Sequence, residues 1–353
     1  MKKSYLLTLI ALCSFCLTSV VAQPLLTTPR GSQTSSITQR IGITDMTINY
    51  SSPRVNERQI WGTLIPYDQV WRAGANENTT FTVSHDVKIE GKDLAAGSYG
   101  VHILPSKDKA TIIFSNNTSS WGSFSYNESE DALRVDVTPE AIDHTEWLTF
   151  EVLDKGTDFA TIGLSWEKQT IPFKVEVDVH NIVISNFKDE LRGVEGFFWQ
   201  ASNQAAGYCL NNNVELEQGL AWADQAISIQ ENFNTLSTKA GILEKLGKTA
   251  DSKSIMDKAI ALPTATAGDL YGYGRRLIGQ GKKKEALEIF KINAKKNAGH
   301  WLADHGLARG YSALGDYKKA LSYEKKALPN TPERSKGFLE GFVKKLEAGE
   351  DIN

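Results

Sequence analysis

Residues 315–321 read Gly315-Asp316-Tyr317-Lys318-Lys319-Ala320-Leu321, and this stretch decides the fold of the second half of the chain. Glycine recurs at Gly281 and Gly247, two successive intervals of 34 residues towards the amino terminus. Each of the three glycines lies between segments whose apolar residues have helical spacing. A period of this length predicts stacked helix–turn–helix units, each of which buries its apolar face against the next.

The repeating unit resembles the tetratricopeptide repeat. Its clearest copy carries Leu307, Tyr311, Gly315, Asp316, Tyr317, Ala320, Ala327 and Pro332. Earlier copies keep small and large residues at matching places, namely Tyr273, Gly274, Leu277, Gly281, Ala286 and Phe290, then Ala240, Leu243, Gly247, Met256 and Ala259, with a degenerate first copy at Gly207, Leu210, Gly219, Ala223 and Ala226. The pattern predicts an α-helical solenoid over residues 181–353 with a terminal helix at 335–346. The resemblance implies a protein partner bound by the repeats.

Residues 23–180 show the two-residue period of β-strands instead. Thr44, Met46, Ile48 and Tyr50 face one way, while the residues between them face the other. The same reasoning predicts strands over 81–89, 97–103, 111–115, 133–137, 146–153, 159–166 and 171–179. Eight to ten short strands without helices between them predict an antiparallel β-sandwich or jelly-roll-like domain, and leave sandwich against partly closed barrel open.

The long connection over residues 51–78 is the candidate functional segment, because connections of this length are uncommon in compact domains. The predicted ligand-binding residues are those of the connection together with one tryptophan that follows later: Arg54, Arg58, Trp61, Trp71, Arg72, Asn76, Glu77 and Trp121. Arginine forks, flat indoles, an amide and a carboxylate suit a saccharide or a carboxylated ligand. The structural alternative is that Trp71 plugs the sandwich while Arg72 and Glu77 form an ion pair.

Several blocks of the β region resemble an exported bacterial family known as domain of unknown function 2911. These blocks are Tyr50-Ser51-Ser52-Pro53-Arg54, Ile60-Trp61-Gly62, Val70-Trp71-Arg72-Ala73-Gly74-Ala75-Asn76-Glu77, Leu94-Ala95-Ala96-Gly97-Ser98-Tyr99, Trp121-Gly122-Ser123-Phe124 and Glu146-Trp147-Leu148-Thr149-Phe150. The resemblance covers about residues 30–170, and its label implies no activity.

The amino terminus has the pattern of a secretory signal peptide over residues 1–22. Lys2 and Lys3 precede an apolar run, and Val20 and Ala22 supply small residues before a cleavage site. The sequence therefore predicts export to the periplasm or the exterior, with no transmembrane segment after cleavage. Cleavage leaves Cys209 as the single thiol, which we interpret as a small core residue.

The charge of the two halves and the absence of known catalytic and metal-binding motifs limit the classes of function that the sequence supports. Residues 23–180 carry a formal charge of −8 and residues 181–353 one of +3, so neither half has the basic character of a nucleic-acid-binding domain. No metal-ligand spacing, catalytic serine elbow or phosphate-binding glycine loop occurs, and the predicted cofactor and metal content is none. These observations favour an exported, non-enzymatic binding or scaffold protein.

The alternative is a hydrolase acting on envelope saccharide or peptide, with its site in the 51–78 connection. It requires Glu77 or Asp68 to lie close to a second carboxylate or to His102.

Overall fold

The computed structural model describes residues 28–353, and the predicted signal peptide at residues 1–22 lies outside the described residues. The chain divides into two compact units, one ending at Val179 and one covering His180–Asn353. The first, here called the β unit, consists of strands, and the second, here called the helical unit, consists of helices.

The β unit has ten strands within the described residues. They are β1 (Gln33–Ile41), β2 (Thr44–Ser52), β3 (Thr79–Val83), β4 (Val87–Ile89), β5 (Lys92–Leu94), β6 (Gly97–Pro105), β7 (Ala110–Ser115), β8 (Asp131–Val137), β9 (Glu140–Lys155) and β10 (Phe159–Glu176). One sheet has the order β1-β2-β3-β6-β7-β8, and the other has the order β5-β4-β10-β9. Neighbouring strands are antiparallel throughout both sheets.

Aromatic rings from the two sheets meet in a shared core. Phe81 of β3 and Phe114 of β7 pack edge-on against Phe173 of β10, with ring centroids 6.3 and 6.0 Å apart. Tyr50 of β2 packs against Phe150 of β9 at 5.0 Å. The sheets therefore lie face to face, and the predicted antiparallel sandwich is confirmed.

The strands differ from the predictions at three places. The sequence does not predict β1, because its side chains are mostly polar and solvent-facing; β1 is an edge strand that pairs with β2. The predicted strand over 81–89 is two strands, since the chain bends at Ser84 and His85 and passes from one sheet to the other. The predicted strands over 159–166 and 171–179 are one strand, β10, in which Glu167 has a positive φ of 56° and the pairing with β9 shifts register. A bulge of this kind interrupts the alternation without ending the strand.

The helical unit contains ten α-helices. They are α1 (Val179–Glu190), α2 (Trp199–Asn212), α3 (Leu216–Ile229), α4 (Phe233–Lys245), α5 (Thr249–Ala261), α6 (Ala267–Gly279), α7 (Lys283–Lys296), α8 (Trp301–Ala313), α9 (Tyr317–Ala327) and α10 (Glu333–Glu347). Consecutive helices pack in pairs, α2 with α3, α4 with α5, α6 with α7 and α8 with α9.

The 34-residue period is visible in the backbone. Five residues at this spacing adopt the left-handed conformation just after a helix: Asn213, Gly247, Gly281, Gly315 and Gly349, with φ of 55, 75, 78, 80 and 77°. Such a residue ends a helix by turning the chain away from the helix axis. The predicted helical-repeat solenoid is therefore confirmed, and the predicted terminal helix corresponds to α10.

Two further observations complete the fold. Cys209 on α2 is fully buried, and burial raises the pKa of its thiol to about 11. Among residues 28–353, no helix is both long and apolar enough to cross a membrane.

Candidate functional site

The 51–78 connection is an ordered strap that is bonded to both sheets. On the side of β9, Val55 N donates to Glu146 O at 2.8 Å, and Leu148 N donates to Pro53 O at 2.9 Å. On the side of β6, Trp71 and Ile103 exchange two backbone hydrogen bonds of 2.8 and 2.7 Å. The strap thus fixes the position of the side chains that it carries.

Three tryptophans form a packed cluster beneath the strap. Trp71 stacks on Trp166 with ring centroids 5.9 Å apart and an interplanar angle of 19°. Trp61 packs edge-on against Trp71 at 6.0 Å and against Trp166 at 6.4 Å. The indole N–H of Trp71 donates to Gly74 O at 3.1 Å. All three indoles are buried, so Trp61 and Trp71 contribute to the core of the β unit.

A cleft of about 660 Å³ opens between the strap and this cluster. Four of the predicted ligand-binding residues line it: Arg54, Arg58, Trp71 and Arg72. The rest of its wall consists of Gly31, Ser32, Pro53, Asn56, Leu64, Ile65, Gly74, Ala75 and Trp166. Among the described residues that line the cleft there is no acidic residue, histidine or cysteine, so its ionisable groups are three guanidinium cations.

Two of these guanidinium groups have partners in the β unit. Arg54 Nε donates to Glu146 Oε1 at 3.2 Å, and the guanidinium lies over the Trp147 ring, 5.2 Å from its centroid. Arg58 donates to the carbonyl oxygens of Val55 and Arg54 at 2.9 and 2.5 Å. Both side chains are exposed, and their bonds hold the amino-terminal part of the strap in place.

Arg72 differs from both. Its Nε is buried without a hydrogen-bond acceptor, and no hydrogen bond or ion pair joins Arg72 to any other residue in the described part of the chain. Burial lowers the pKa of the Arg72 guanidinium. A partly desolvated cation without a counter-charge is costly, because water no longer solvates the N–H group and no protein oxygen replaces the water.

The backbone next to Arg72 is strained. Ala73 is fully buried and has a φ of 52°, in the left-handed region that a side chain with a Cβ rarely adopts. Asn76 has a φ of 58°. Conformations of this kind cost on the order of 1–3 kcal/mol each, and they cluster at active sites and ligand-binding sites.

The other predicted site residues lie apart from the cleft wall. Asn76 Nδ2 donates to Ser32 O at 3.3 Å, and Glu77 forms an ion pair with Arg30 at 2.5 Å. The predicted structural pairing of Arg72 with Glu77 is therefore wrong. Trp121, which is 57% exposed, forms a backbone bridge with Glu77.

The groups that the hydrolase hypothesis brings together have separate partners. Asp68 accepts a hydrogen bond from Ser106 at 2.8 Å, Glu77 is bound by Arg30, and His102 Nδ1 lies 3.0 Å from Ser123 Oγ. Within residues 28–353, no group of three or more histidine, cysteine or acidic side chains could hold a metal ion. The cleft wall therefore offers cations for binding and no described group suited to acid–base chemistry.

Sequence reasoning missed Asn56 and Trp166 as cleft residues. A signal for Trp166 exists, because Ile162, Leu164 and Trp166 alternate along one face of a predicted strand, and all three are buried. For Asn56 there is no comparable signal, since it lies at a left-handed turn with a φ of 50° that no repeat or alternation marks.

A two-sheet β unit followed by helical repeats defines the class of protein. Residues 32–175, within the β unit, match the family described as Protein of unknown function (DUF2911). No curated protein matches the chain.

Several solved structures resemble the helical unit. YrrB, a TPR protein with an unusual peptide-binding site, is 19% identical, with 47% of this chain and 83% of that chain aligned and a TM-score of 0.30. The MamA protein is 17% identical over 44% of this chain and 83% of that chain, with a TM-score of 0.30. MamA 41-end from Desulfovibrio magneticus RS-1 is 17% identical over 44% and 90%, with a TM-score of 0.28. At these values no residue role is transferred from them.

Proposed function

We propose that the protein is an exported, non-enzymatic binding protein whose β unit binds a carboxylated ligand in the cleft and whose helical unit binds a protein partner. The observation that carries the proposal is Arg72, a half-buried cation that lines the cleft without any counter-charge in the described chain.

A carboxylate supplies what Arg72 lacks. The planar guanidinium donates two parallel hydrogen bonds to a carboxylate, and such charge-assisted pairs are about twice as strong as neutral hydrogen bonds. Arg58 adds positive charge to the same wall, whereas the charge of Arg54 is balanced by Glu146 at 3.2 Å, and no acidic residue lines the described wall. The local charge is opposite in sign to the −8 of residues 23–180, so the cleft stands out as the place for an anion.

The surroundings suit a ligand that also has a ring or another flat apolar face. The volume of about 660 Å³ is that of a small-molecule site, for which roughly 300–1,000 Å³ is usual. At Gly122 an added Cβ would lie 3.1 Å from Arg72 Nη1 and 2.9 Å from the Phe124 ring, so both side chains flank the same turn. Phe124 (89% exposed) and Trp121 (57% exposed) do not line the cleft, but they lie at this turn beside Arg72 and offer aromatic faces on which a sugar ring that extends from the cleft can stack.

The proposal for the helical unit has a different basis. Stacked helical repeats form extended surfaces that commonly bind other proteins. Export follows from the predicted signal peptide, whose basic and apolar parts precede the described residues.

Glucuronate and glucose test the cleft as a matched pair of probes, because they differ in the carboxylate alone. We expect isothermal titration calorimetry to detect glucuronate binding to the wild-type protein and no binding of glucose. Arg72→Met should weaken glucuronate binding at least about tenfold, which corresponds to about 1.4 kcal/mol. Arg40→Met is the control, because Arg40 pairs with Asp45 at the β1–β2 hairpin and does not line the cleft.

Thermal melting of the same variants separates binding from scaffolding. Methionine keeps the apolar stem of Arg72 and removes an unpartnered charge, so the melting temperature should stay the same or rise. A clear fall in the melting temperature of Arg72→Met would assign Arg72 to the scaffold. Equal affinity for glucuronate and glucose would contradict the proposed carboxylated ligand. Glutarate, a diacid without a ring, is a further probe: if neither glutarate nor glucuronate binds, the proposed ligand class is also contradicted.

A further inference from the structure

Residues 348–353, which follow α10, are not helical. Residues 350–353, here called the 350–353 segment, follow the left-handed Gly349 and lie without helical structure along α8. Ser312 Oγ donates to Asp351 Oδ1 at 2.7 Å, and Ile352 N donates to Ser312 Oγ at 3.1 Å. Arg309 Nη1 donates to Ile352 O at 2.9 Å. Two side chains of α8 therefore bond both backbone polar groups of one residue in the segment.

The side chains of the segment are bound as well. Ile352 is 4% exposed and packs in an apolar cluster with Ala308, Ala320 and Leu346. Asn353 Nδ2 donates to Arg309 O at 3.1 Å. When proteins bind extended peptides, hydrogen bonds to the peptide backbone give affinity and side-chain pockets give specificity, and the 350–353 segment makes contacts of both kinds.

The binding side is held in place by contacts that do not involve the segment. Arg309 is 9% exposed, and its Nε donates to His305 Nε2 at 3.1 Å. His305 Nδ1 donates to the buried carboxylate of Glu324 at 2.7 Å, and the Arg309 guanidinium lies over the Phe342 ring, 5.0 Å from its centroid. The hydrogen bonds from Arg309 to His305 and from His305 to Glu324 orient the guanidinium that donates to the Ile352 carbonyl oxygen. A site that is ordered in advance binds its ligand with a smaller entropic cost.

We propose that this face of α8, formed by Ala308, Arg309 and Ser312, is a docking site for an extended peptide of a partner protein, and that the 350–353 segment occupies it within the chain. The chemistry of the occupant is read from the segment itself: an acidic side chain, then a branched aliphatic side chain, then a side-chain amide. This inference rests on the proposed protein-binding role of the helical unit and names the surface and the ligand chemistry. Because a tethered segment acts at an effective concentration in the millimolar range, a partner must displace it to bind, and the segment thus regulates access.

The test uses the chain with residues 350–353 deleted and a fluorescent peptide of sequence Glu-Ala-Gly-Glu-Asp-Ile-Asn, taken from residues 347–353. We expect fluorescence anisotropy to show saturable binding of the peptide to the deleted chain and at least about tenfold weaker binding to the full chain, because the tethered segment competes. A peptide with Asp in place of Ile should not bind. Arg309→Lys in the deleted chain should weaken binding about tenfold, since lysine cannot reproduce the orientation of the guanidinium fork.

Circular dichroism distinguishes a segment that occupies a docking site from a segment that is a structural part of the last repeat. If the deleted chain retains its helicity and its melting temperature and still does not bind the peptide, the proposal fails. If the deletion unfolds the helical unit, the segment is a structural part of the last repeat and the proposal fails as well. Ile352→Asp in the full chain is the second variant: it should release the segment and raise the affinity for the wild-type peptide. A partner protein retained equally by the full and the deleted chain must bind another face, which would leave the proposed function standing without this site.

Discussion

His102 couples the protonation of one side chain to the stability of the β unit. It lies on β6, is 2% exposed, and its Nδ1 is hydrogen-bonded to Ser123 at 3.0 Å. Burial disfavours the charged imidazolium and lowers the pKa of His102 from 6.5 to about 4, although the charge of Glu130 opposes this effect. Between these two values the unfolded chain binds a proton that the folded chain does not.

The stability of the β unit should therefore fall as the pH is lowered from about 7 to about 4, with the His102 contribution fully present above 6.5. The loss amounts to about 3 kcal/mol, at about 1.4 kcal/mol for each pH unit between the two values. His102→Asn keeps an amide near the position of Nδ1 and removes the titration, so its denaturation free energy should depend less on pH. Parallel pH curves for the wild type and the variant, measured by urea denaturation, would refute the coupling.

At the residue scale, the sequence predicts the strand face on which a residue lies better than it predicts which residues that residue contacts. Alternation places His102 opposite Tyr99, Val101 and Ile103, yet its burial depends on the turn that supplies Ser123 and Tyr126, which alternation does not report. In the same way, the structural alternative for the 51–78 connection pairs Arg72 with Glu77. Left-handed residues between and beside them, Ala73 and Asn76, redirect the backbone, and Glu77 bonds to Arg30 instead.

At the scale of elements, the five left-handed residues that recur every 34 residues in the helical unit lie where its helices end. An added Cβ at Gly281 would meet no atom within 4 Å, so the only cost of a side chain there is the conformation at a φ of 78°. Gly279, two residues earlier, is also open to solvent but belongs to the last turn of α6. A substitution at either glycine creates no steric clash, so a comparison of the two positions measures the effect of backbone conformation alone.

Opposite effects follow for the same substitution. Gly281→Ala should destabilise the helical unit by about 1–2 kcal/mol, the cost of a left-handed backbone for a residue with a Cβ. Gly279→Ala should stabilise it by about 0.5–1 kcal/mol, because alanine loses less conformational entropy in a helix. Chemical denaturation followed by circular dichroism at 222 nm measures both. A destabilisation of equal size in the two variants would show that the turn conformation is not the cause.

The sequence reveals the 34-residue period of the helical repeats, but only three of the five left-handed positions that follow it. Gly247, Gly281 and Gly315 are visible because the same residue recurs at 34-residue intervals. The equivalent position 213 holds asparagine, which also tolerates the left-handed region, and Gly349 does not lie between two helices of the described chain. Both escape a search for glycine at helix–helix turns. β1 escapes for a related reason, since its half-exposed polar residues produce no apolar alternation.

At the scale of the whole molecule, each unit contains its own core. The β unit packs Phe81, Phe114 and Phe173 between its sheets, and the helical unit buries Phe290 with Leu270 and Leu277 among its repeats. A unit that has its own hydrophobic core is expected to fold independently of the rest of the chain. The composition predicts the division into two halves, because the charge and the hydrophobic period change near residue 180.

Residues 28–179 and 180–353, produced as separate proteins, should each unfold in one cooperative transition. Thermal melts followed by tryptophan fluorescence for the first and by circular dichroism at 222 nm for the second measure this. The control is a β fragment that ends at Lys155: it lacks β10, and with it Trp166 beneath the cleft and Phe173 in the core, so it should not unfold cooperatively. Independent folding would also place glucuronate binding in the isolated β fragment, with the same dependence on Arg72 as in the full chain. A β fragment that is unfolded without residues 180–353 would mean that the core between its sheets does not suffice, and the cleft would then have to be studied in the full chain alone.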